Sequence, residues 1–223
     1  MAHHRRSLDD ALYFLRRFLR RPRHVASIWP SSRHLAAQMF RDLDLESGDV
    51  VLEYGPGTGA FTMELERLRA QGVALSYLGL ENDPGMHRFL VRRFPDLDFV
   101  LGDAVDAVAL WRASRLPPAR AVISGLPLCF MDRRTVEPVF EATDACLRPD
   151  GVFRTFSYLH SYPLRSAGEL RELMSHWFED YRVSAPVLRN LPPALMLTGR
   201  GPKSPGGPPP DALPPLGPRA LGR

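Results

Sequence analysis

Val51-Leu52-Glu53-Tyr54-Gly55-Pro56-Gly57-Thr58-Gly59 is the stretch that decides the fold. A short apolar run reads as a buried strand over Asp49–Tyr54, and three alternating glycines follow it directly. Phe61, Leu65 and Leu68 then recur at helical spacing, which predicts a helix over Thr58–Ala70. Glycine lets a backbone turn sharply and come close to a ligand. In an open α/β sheet a loop at the carboxyl end of the first strand is where ligands bind.

The alternation continues outward from that stretch. Strands are predicted over Ala74–Glu81, Leu97–Leu101, Ala119–Ser124 and Val152–Tyr158. Helices are predicted over Pro84–Phe94, Ala104–Ala113, Arg133–Leu147 and Ala167–Phe178. Pro84 suits a first helical turn, and Pro149 and Gly151 would end the third of these helices. Late strands over Tyr181–Leu188 and Ala194–Thr198, separated by Asn190-Leu191-Pro192-Pro193, suggest an antiparallel hairpin. Alternating β and α units imply a mainly parallel sheet with helices on both faces.

Two acids stand at the next strand ends. Glu81 closes the second strand 22 residues after Gly59, where its carboxylate can accept from two ribose hydroxyls. Asp103 follows the third strand in Gly102-Asp103-Ala104 and can meet an adenine amino group. Singly, these are a tight turn, a surface acid and a helix cap. At three consecutive strand ends they describe one nucleotide site. The glycines run G-x-G-x-G, not the G-x-G-x-x-G of nicotinamide sites, and Glu53 lies two residues upstream.

That variant resembles motif I of the class I S-adenosylmethionine (SAM)-dependent methyltransferases. The resemblance implies a Rossmann-like α/β fold, a seven-stranded sheet in the order 3-2-1-4-5-7-6, and SAM as cofactor with S-adenosylhomocysteine as product. It places Gly55, Gly57 and Gly59 around the methionine part, Glu81 on the ribose and Asp103 near the adenine. Glu53, Asn82, Ala104 and Ser124 complete the expected cofactor contacts. No metal is expected.

The fourth strand ends in Ser124-Gly125-Leu126-Pro127-Leu128. Amino-group methyltransferases commonly carry Asn or Asp there, then Pro-Pro or Leu-Pro, then an aromatic. Ser124 and Leu128 depart from that form and argue against stacking on a flipped adenine. Trp29-Pro30-Ser31-Ser32-Arg33, Phe156-Ser157-Tyr158 and Asn190-Leu191-Pro192-Pro193-Ala194 add to the likeness. In order and spacing these strings resemble the bacterial phospholipid N-methyltransferases, over about Leu15 to Arg200. The resemblance implies methylation of phosphatidylethanolamine, or its partly methylated forms, towards phosphatidylcholine. Motif I also resembles the ribosomal RNA adenine dimethyltransferases, whose Asn-Leu-Pro-Tyr-type string is missing. An rRNA adenine-type or small-molecule amine N-methyltransferase stays as the alternative.

Charge placement points the same way. The net charge is +4, yet Met1–His24 carries seven arginines against Asp9 and Asp10, or +5, which leaves the remainder at −1. On a helical wheel Leu8, Ala11, Leu12, Leu15, Phe18 and Leu19 share one face, with Arg16, Arg17, Arg20 and Arg21 on the flanks and opposite side. Such a basic amphipathic helix lies in a membrane interface, or else packs on the core. An anionic membrane surface and a phospholipid are the expected partners; nucleic acid and an obligate protein partner are not. No run of apolar residues is long enough to span a bilayer. The N-terminus lacks the pattern of a signal peptide. Cys129 and Cys146 form neither a metal pattern nor a disulfide framework. The expected location is cytoplasmic, peripheral to the inner membrane. Three zones follow: an N-terminal extension over 1–45, a methyltransferase domain over 46–200, and a disordered Pro/Gly-rich tail over 201–223.

For catalysis, backbone carbonyls of Gly125 and Leu126 are candidates to orient the amine hydrogens. Trp29, Phe156, Tyr158 and Tyr162 are candidate faces for a methylated, cationic head group, with Tyr158 preferred. Ser31, Ser32 and Arg33 are candidate substrate contacts, Arg33 for a lipid phosphate. His160 is a weaker candidate proton acceptor.

Overall fold

The computed structural model describes residues 32–203. Seven strands are ordered β3-β2-β1-β4-β5-β7-β6. They are β1 (Val50–Tyr54), β2 (Ser76–Glu81), β3 (Asp98–Leu101), β4 (Ala119–Ser124), β5 (Leu147–Tyr158), β6 (Phe178–Val183) and β7 (Ala194–Pro202). The first five pair in parallel; β7 runs antiparallel to both β5 and β6. The described helices are α1 (Arg33–Phe40), α2 (Ala60–Ala70), α3 (Pro84–Arg93), α4 (Ala107–Ser114), α5 (Arg133–Cys146) and α6 (Arg165–Trp177).

Two cores, one on each face, account for the layering. Val51 and Tyr77 pack with Leu35, Phe61 and Leu90 of α1, α2 and α3. Leu52, Tyr54, Leu78 and Leu80 pack with residues of α4, α5 and α6. Alternate strand residues face opposite sides of a sheet, and that divides a continuous apolar strand between the two cores. The chain winds from β1 outward to β3, then crosses to β4 and winds the other way. Right-handed crossovers put the helices of the two halves on opposite faces. The reversal falls between β1 and β4, which opens a crevice at their carboxyl ends.

Several boundaries differ from the sequence reading. Helix α2 starts at Ala60 because Gly59 is its cap and holds a positive φ of 79°. The segment from Ala104 opens as a 3-10 turn, with α4 proper from Ala107. Helix α5 ends at Cys146, before Pro149 and Gly151, and β5 begins at once with Leu147. The residue before a proline avoids helical geometry, so Arg148 is already extended chain. Strand β6 begins at Phe178, directly after α6, and β7 continues to Pro202. Its last residues, Gly201 and Pro202, therefore belong to the sheet and not to the expected tail, since Phe178 pairs with Pro202.

Helix α1 lies within the region assigned to the N-terminal extension, yet Leu35 and Met39 are fully buried. It is held at both ends by distant residues. Ser32 caps it, and the Ser32 N–H donates to Asn190 Oδ1 at 2.9 Å. At the other end the buried guanidinium of Arg154, on β5, donates to the carbonyls of Gln38, Met39 and Arg41. Helix C-termini leave such carbonyls unpaired and attract cations. The basic arm, Trp29, Ser31 and the tail beyond 203 lie outside the described residues.

Candidate active site

The glycine loop is pinned to its neighbours from three directions. Gly55 N–H donates to the Leu80 carbonyl at 2.8 Å, and Gly57 N–H to Glu81 Oε2 at 3.0 Å. Gly125 N–H donates to the Tyr54 carbonyl at 2.7 Å. A Cβ on Gly125 would sit 2.6 Å from the Gly55 carbonyl oxygen, so the loops after β1 and β4 touch backbone to backbone. The carboxyl ends of β2, β1 and β4 thereby share one cleft.

The second and third motif glycines serve different purposes. At Gly59 a Cβ would lie 2.5 Å from Phe94 Cε2, so glycine is needed for packing against the protein. At Gly57, with φ of 55°, a Cβ would meet nothing closer than the Gly55 carbonyl at 3.9 Å. It would project into open space, on the side left for a ligand.

Glu81 is buried at the end of β2. Its Oε1 accepts from the Asp83 N–H at 2.9 Å while Oε2 holds Gly57. Burial raises its pKa above the ordinary value, against the pull of these N–H donors. A carboxylate has about four lone-pair sites, so two stay available to hydroxyls. Asn82 and Asp103 stand exposed at the neighbouring strand end, joined by an amide-to-carboxylate bond of 3.2 Å. Asp103 Oδ1 also accepts from the Val105 N–H at 3.2 Å.

Glu53 sits beneath the loop, 1% exposed. Its Oε2 accepts from the hydroxyls of Tyr77 at 2.7 Å and Thr62 at 2.9 Å. Oε1 is buried with no hydrogen-bond partner. Burial is the main cause that lifts its carboxyl from 4.5 to about 7, and the charge of Glu81 adds to it. A buried oxygen without a partner is costly in a folded protein and marks a place where a donor is missing. Tyr77 and Thr62 were not foreseen from the sequence. Glu53 pairs with Gly79 across β1 and β2. A Cβ there would lie 2.6 Å from the Tyr77 hydroxyl, so Gly79 opens the path by which Tyr77 reaches Glu53. A tyrosine two positions before a glycine on the neighbouring strand was the available signal, but it has meaning only once the register is known.

Other expected residues are placed less directly. Ser124 is fully buried, and its hydroxyl accepts from the Leu126 N–H at 3.3 Å, so it shapes the turn. Ala104 puts its methyl in the core. The Leu126 carbonyl already accepts from Leu128, whereas that of Gly125 carries no hydrogen bond among the described residues. Leu128 is fully buried and presents no stacking face. The Tyr158 ring ends β5, packed against Phe156 and stacked on His160. Phe156 is a core residue edge-on to Phe61. The face of Tyr162 is covered by the Arg171 guanidinium at 4.0 Å. Ser32 spends its hydroxyl on capping α1; Arg33 is exposed, with no ion pair among the described residues.

These residues fit SAM. The space beside Gly57 admits a ligand, Glu81 can serve a diol, and the spare Glu53 oxygen lies under the loop that would meet the methionine part. Comparison with known proteins agrees. No family model matches the chain. The chain is 28% identical over 200 residues to an ornithine lipid N-methyltransferase of Singulisphaera acidiphila, covering 88% of this chain and 98% of that one. Over 71 residues it is 30% identical to ribosomal RNA small subunit methyltransferase A of Chlorobaculum parvum, covering 32% of this chain and 24% of that protein. In fold it is similar to a TehB-like SAM-dependent methyltransferase from Corynebacterium glutamicum, with a TM-score of 0.55 at 14% identity, covering 87% of this chain and 99% of the other. The chain thus has the fold of the class I SAM-dependent methyltransferases, and over nearly its whole length it is similar in sequence to a lipid N-methyltransferase.

Proposed function

We propose that the chain methylates the primary amine of a membrane lipid head group, with phosphatidylethanolamine as the acceptor. The observation that carries this reading is the likeness to a lipid N-methyltransferase over nearly the whole of both chains. The site supports it: the β4 end offers the Gly125 carbonyl and no exposed aromatic at Leu128, where a flipped base would need one. The shorter likeness to an rRNA methyltransferase covers only a third of the chain. Ornithine lipid is the second reading, favoured by the name of that relative. Both acceptors present an amine close to an anionic group.

Bound SAM supplies a methyl group on a positively charged sulfur, ready for in-line attack by an amine. The protein's part is placement, which accounts for much of the acceleration of such reactions. Glu81 and the Gly57 backbone hold the nucleoside side of the loop. Glu53, buried at the end of β1, would favour the cationic end through its carboxyl group. The Gly125 carbonyl accepts an amine hydrogen and aims the nitrogen lone pair. Arg33, at the start of α1, is available to an anionic head group.

Among the described residues no helix is long and apolar enough to cross a membrane. The reading therefore relies on the basic amphipathic arm over Leu12–Arg21 to bring the enzyme to the cytoplasmic face of the inner membrane. The test uses vesicles containing phosphatidylethanolamine or ornithine lipid, labelled SAM and lipid chromatography. Label in phosphatidylethanolamine and its methylated products supports the first reading; label only in ornithine lipid supports the second. Label in RNA or soluble amines, with both lipids unmodified, refutes both.

A further inference from the structure

We infer that the rim of the active site is itself a membrane-docking surface, separate from the N-terminal arm. Two loops build it at the carboxyl end of the sheet. Leu159 and Leu164 follow β5, and Leu188 and Leu191 lie between β6 and β7. The Leu159 N–H donates to the Pro193 carbonyl at 2.8 Å, and Tyr158 pairs with Ala194, so the two loops are joined. Asn190 then ties the second loop to the start of α1 through Ser32.

All four leucines are exposed, Leu188 at 73% and Leu191 at 66%. Apolar side chains clustered on the described surface are costly in water and mark interaction sites. Their setting selects the partner. Over residues 159–169, residues 184–193 and the first turn of α1 the charged residues are Arg33, Arg165 and Arg189, against Glu169 alone. Glu169 is already paired with Arg165 at 2.9 Å. Leucines at loop tips with arginines around them suit an anionic lipid interface, where apolar groups enter and guanidinium groups stay among the head groups. The rim adjoins Tyr158, whose ring meets Phe130 of the segment that follows the Gly125 turn. A lipid held there would offer its amine to the cleft while its chains stay in the bilayer.

The inference rests on the lipid reading for its purpose, but vesicle binding without SAM tests it alone. The experiment compares wild type with Leu188→Glu/Leu191→Glu and with Val91→Glu, an exposed apolar site on α3 away from the rim. Vesicles contain phosphatidylethanolamine and phosphatidylglycerol. The rim variant should bind them about tenfold or more weakly. Methylation of vesicle lipid should fall in parallel. Dispersed short-chain phosphatidylethanolamine should be methylated as by wild type, and SAM affinity should be kept. Val91→Glu should match wild type throughout. Wild-type vesicle binding by the rim variant would overturn the inference. So would a wild-type dimer that the rim variant dissolves without losing vesicle affinity, which would assign the surface to a second copy. If wild type binds vesicles through the rim yet methylates no lipid in any form, the proposed function fails and the docking surface stands.

Discussion

Replacing Glu53 by glutamine should change how stability depends on pH. In the folded protein burial lifts this carboxyl from 4.5 to about 7, although Tyr77 and Thr62 donate to it. A raised carboxyl binds its proton more tightly folded than unfolded, so folding takes up a proton between those two values. The stability this contributes is fully present below pH 4.5 and is lost as pH climbs through about 7. At about 1.4 kcal/mol per tenfold change in proton concentration, the full loss is worth ~3 kcal/mol. Glutamine is neutral throughout and nearly the same shape, and its amide oxygen can keep accepting from Tyr77 and Thr62. Urea unfolding of the SAM-free proteins at about pH 5 and about pH 8 brackets most of the window. The stability of Glu53→Gln relative to wild type should rise by ~2–3 kcal/mol from the acid to the alkaline condition. That corresponds to a midpoint gain of about 1 M urea. A difference that stays constant between the two conditions would show that Glu53 is charged in the folded protein, and the reasoning would fail.

Gly57→Ala should cost only about 1 kcal/mol of stability for its left-handed backbone, yet weaken SAM in calorimetry, because its Cβ points into open space. Gly59→Ala should lower the melting temperature more, since overpacking against Phe94 adds about 1–3 kcal/mol; the reverse order would contradict the assignment of the two glycines. Arg154→Leu should strip the cap from α1 and cost about 2–4 kcal/mol. Hydrogen exchange should quicken across Arg33–Phe40, and unchanged protection there would count against it. Deleting Met1–Arg21 should reduce binding to anionic vesicles while sparing SAM affinity; equal vesicle binding would remove the arm from the membrane reading.

The class of fold was legible because it depends on local pattern. Apolar runs of strand length, helical spacing and the punctuation of Gly55-Pro56-Gly57-Thr58-Gly59 are near-neighbour properties, as is the place of Pro84 in the first turn of α3. Glu81 and Asp103 were legible for the same reason: each ends a strand, and strand ends of a parallel sheet fall on one edge. Motif resemblance added the strand order that pattern alone left open. Contacts between distant segments were not legible. Tyr77 and Glu53 meet only through the register of β1 and β2. Asn190 meets Ser32, and Arg154 meets the end of α1, across more than a hundred residues. Neither Ser124 turning its hydroxyl back on Leu126 nor the Leu126 carbonyl being taken by Leu128 follows from a strand-end string. Hydrophobic periodicity records which face a residue takes, and it carries no record of which partner waits there. Chain topology decides that, by bringing remote backbone donors and acceptors within bonding distance.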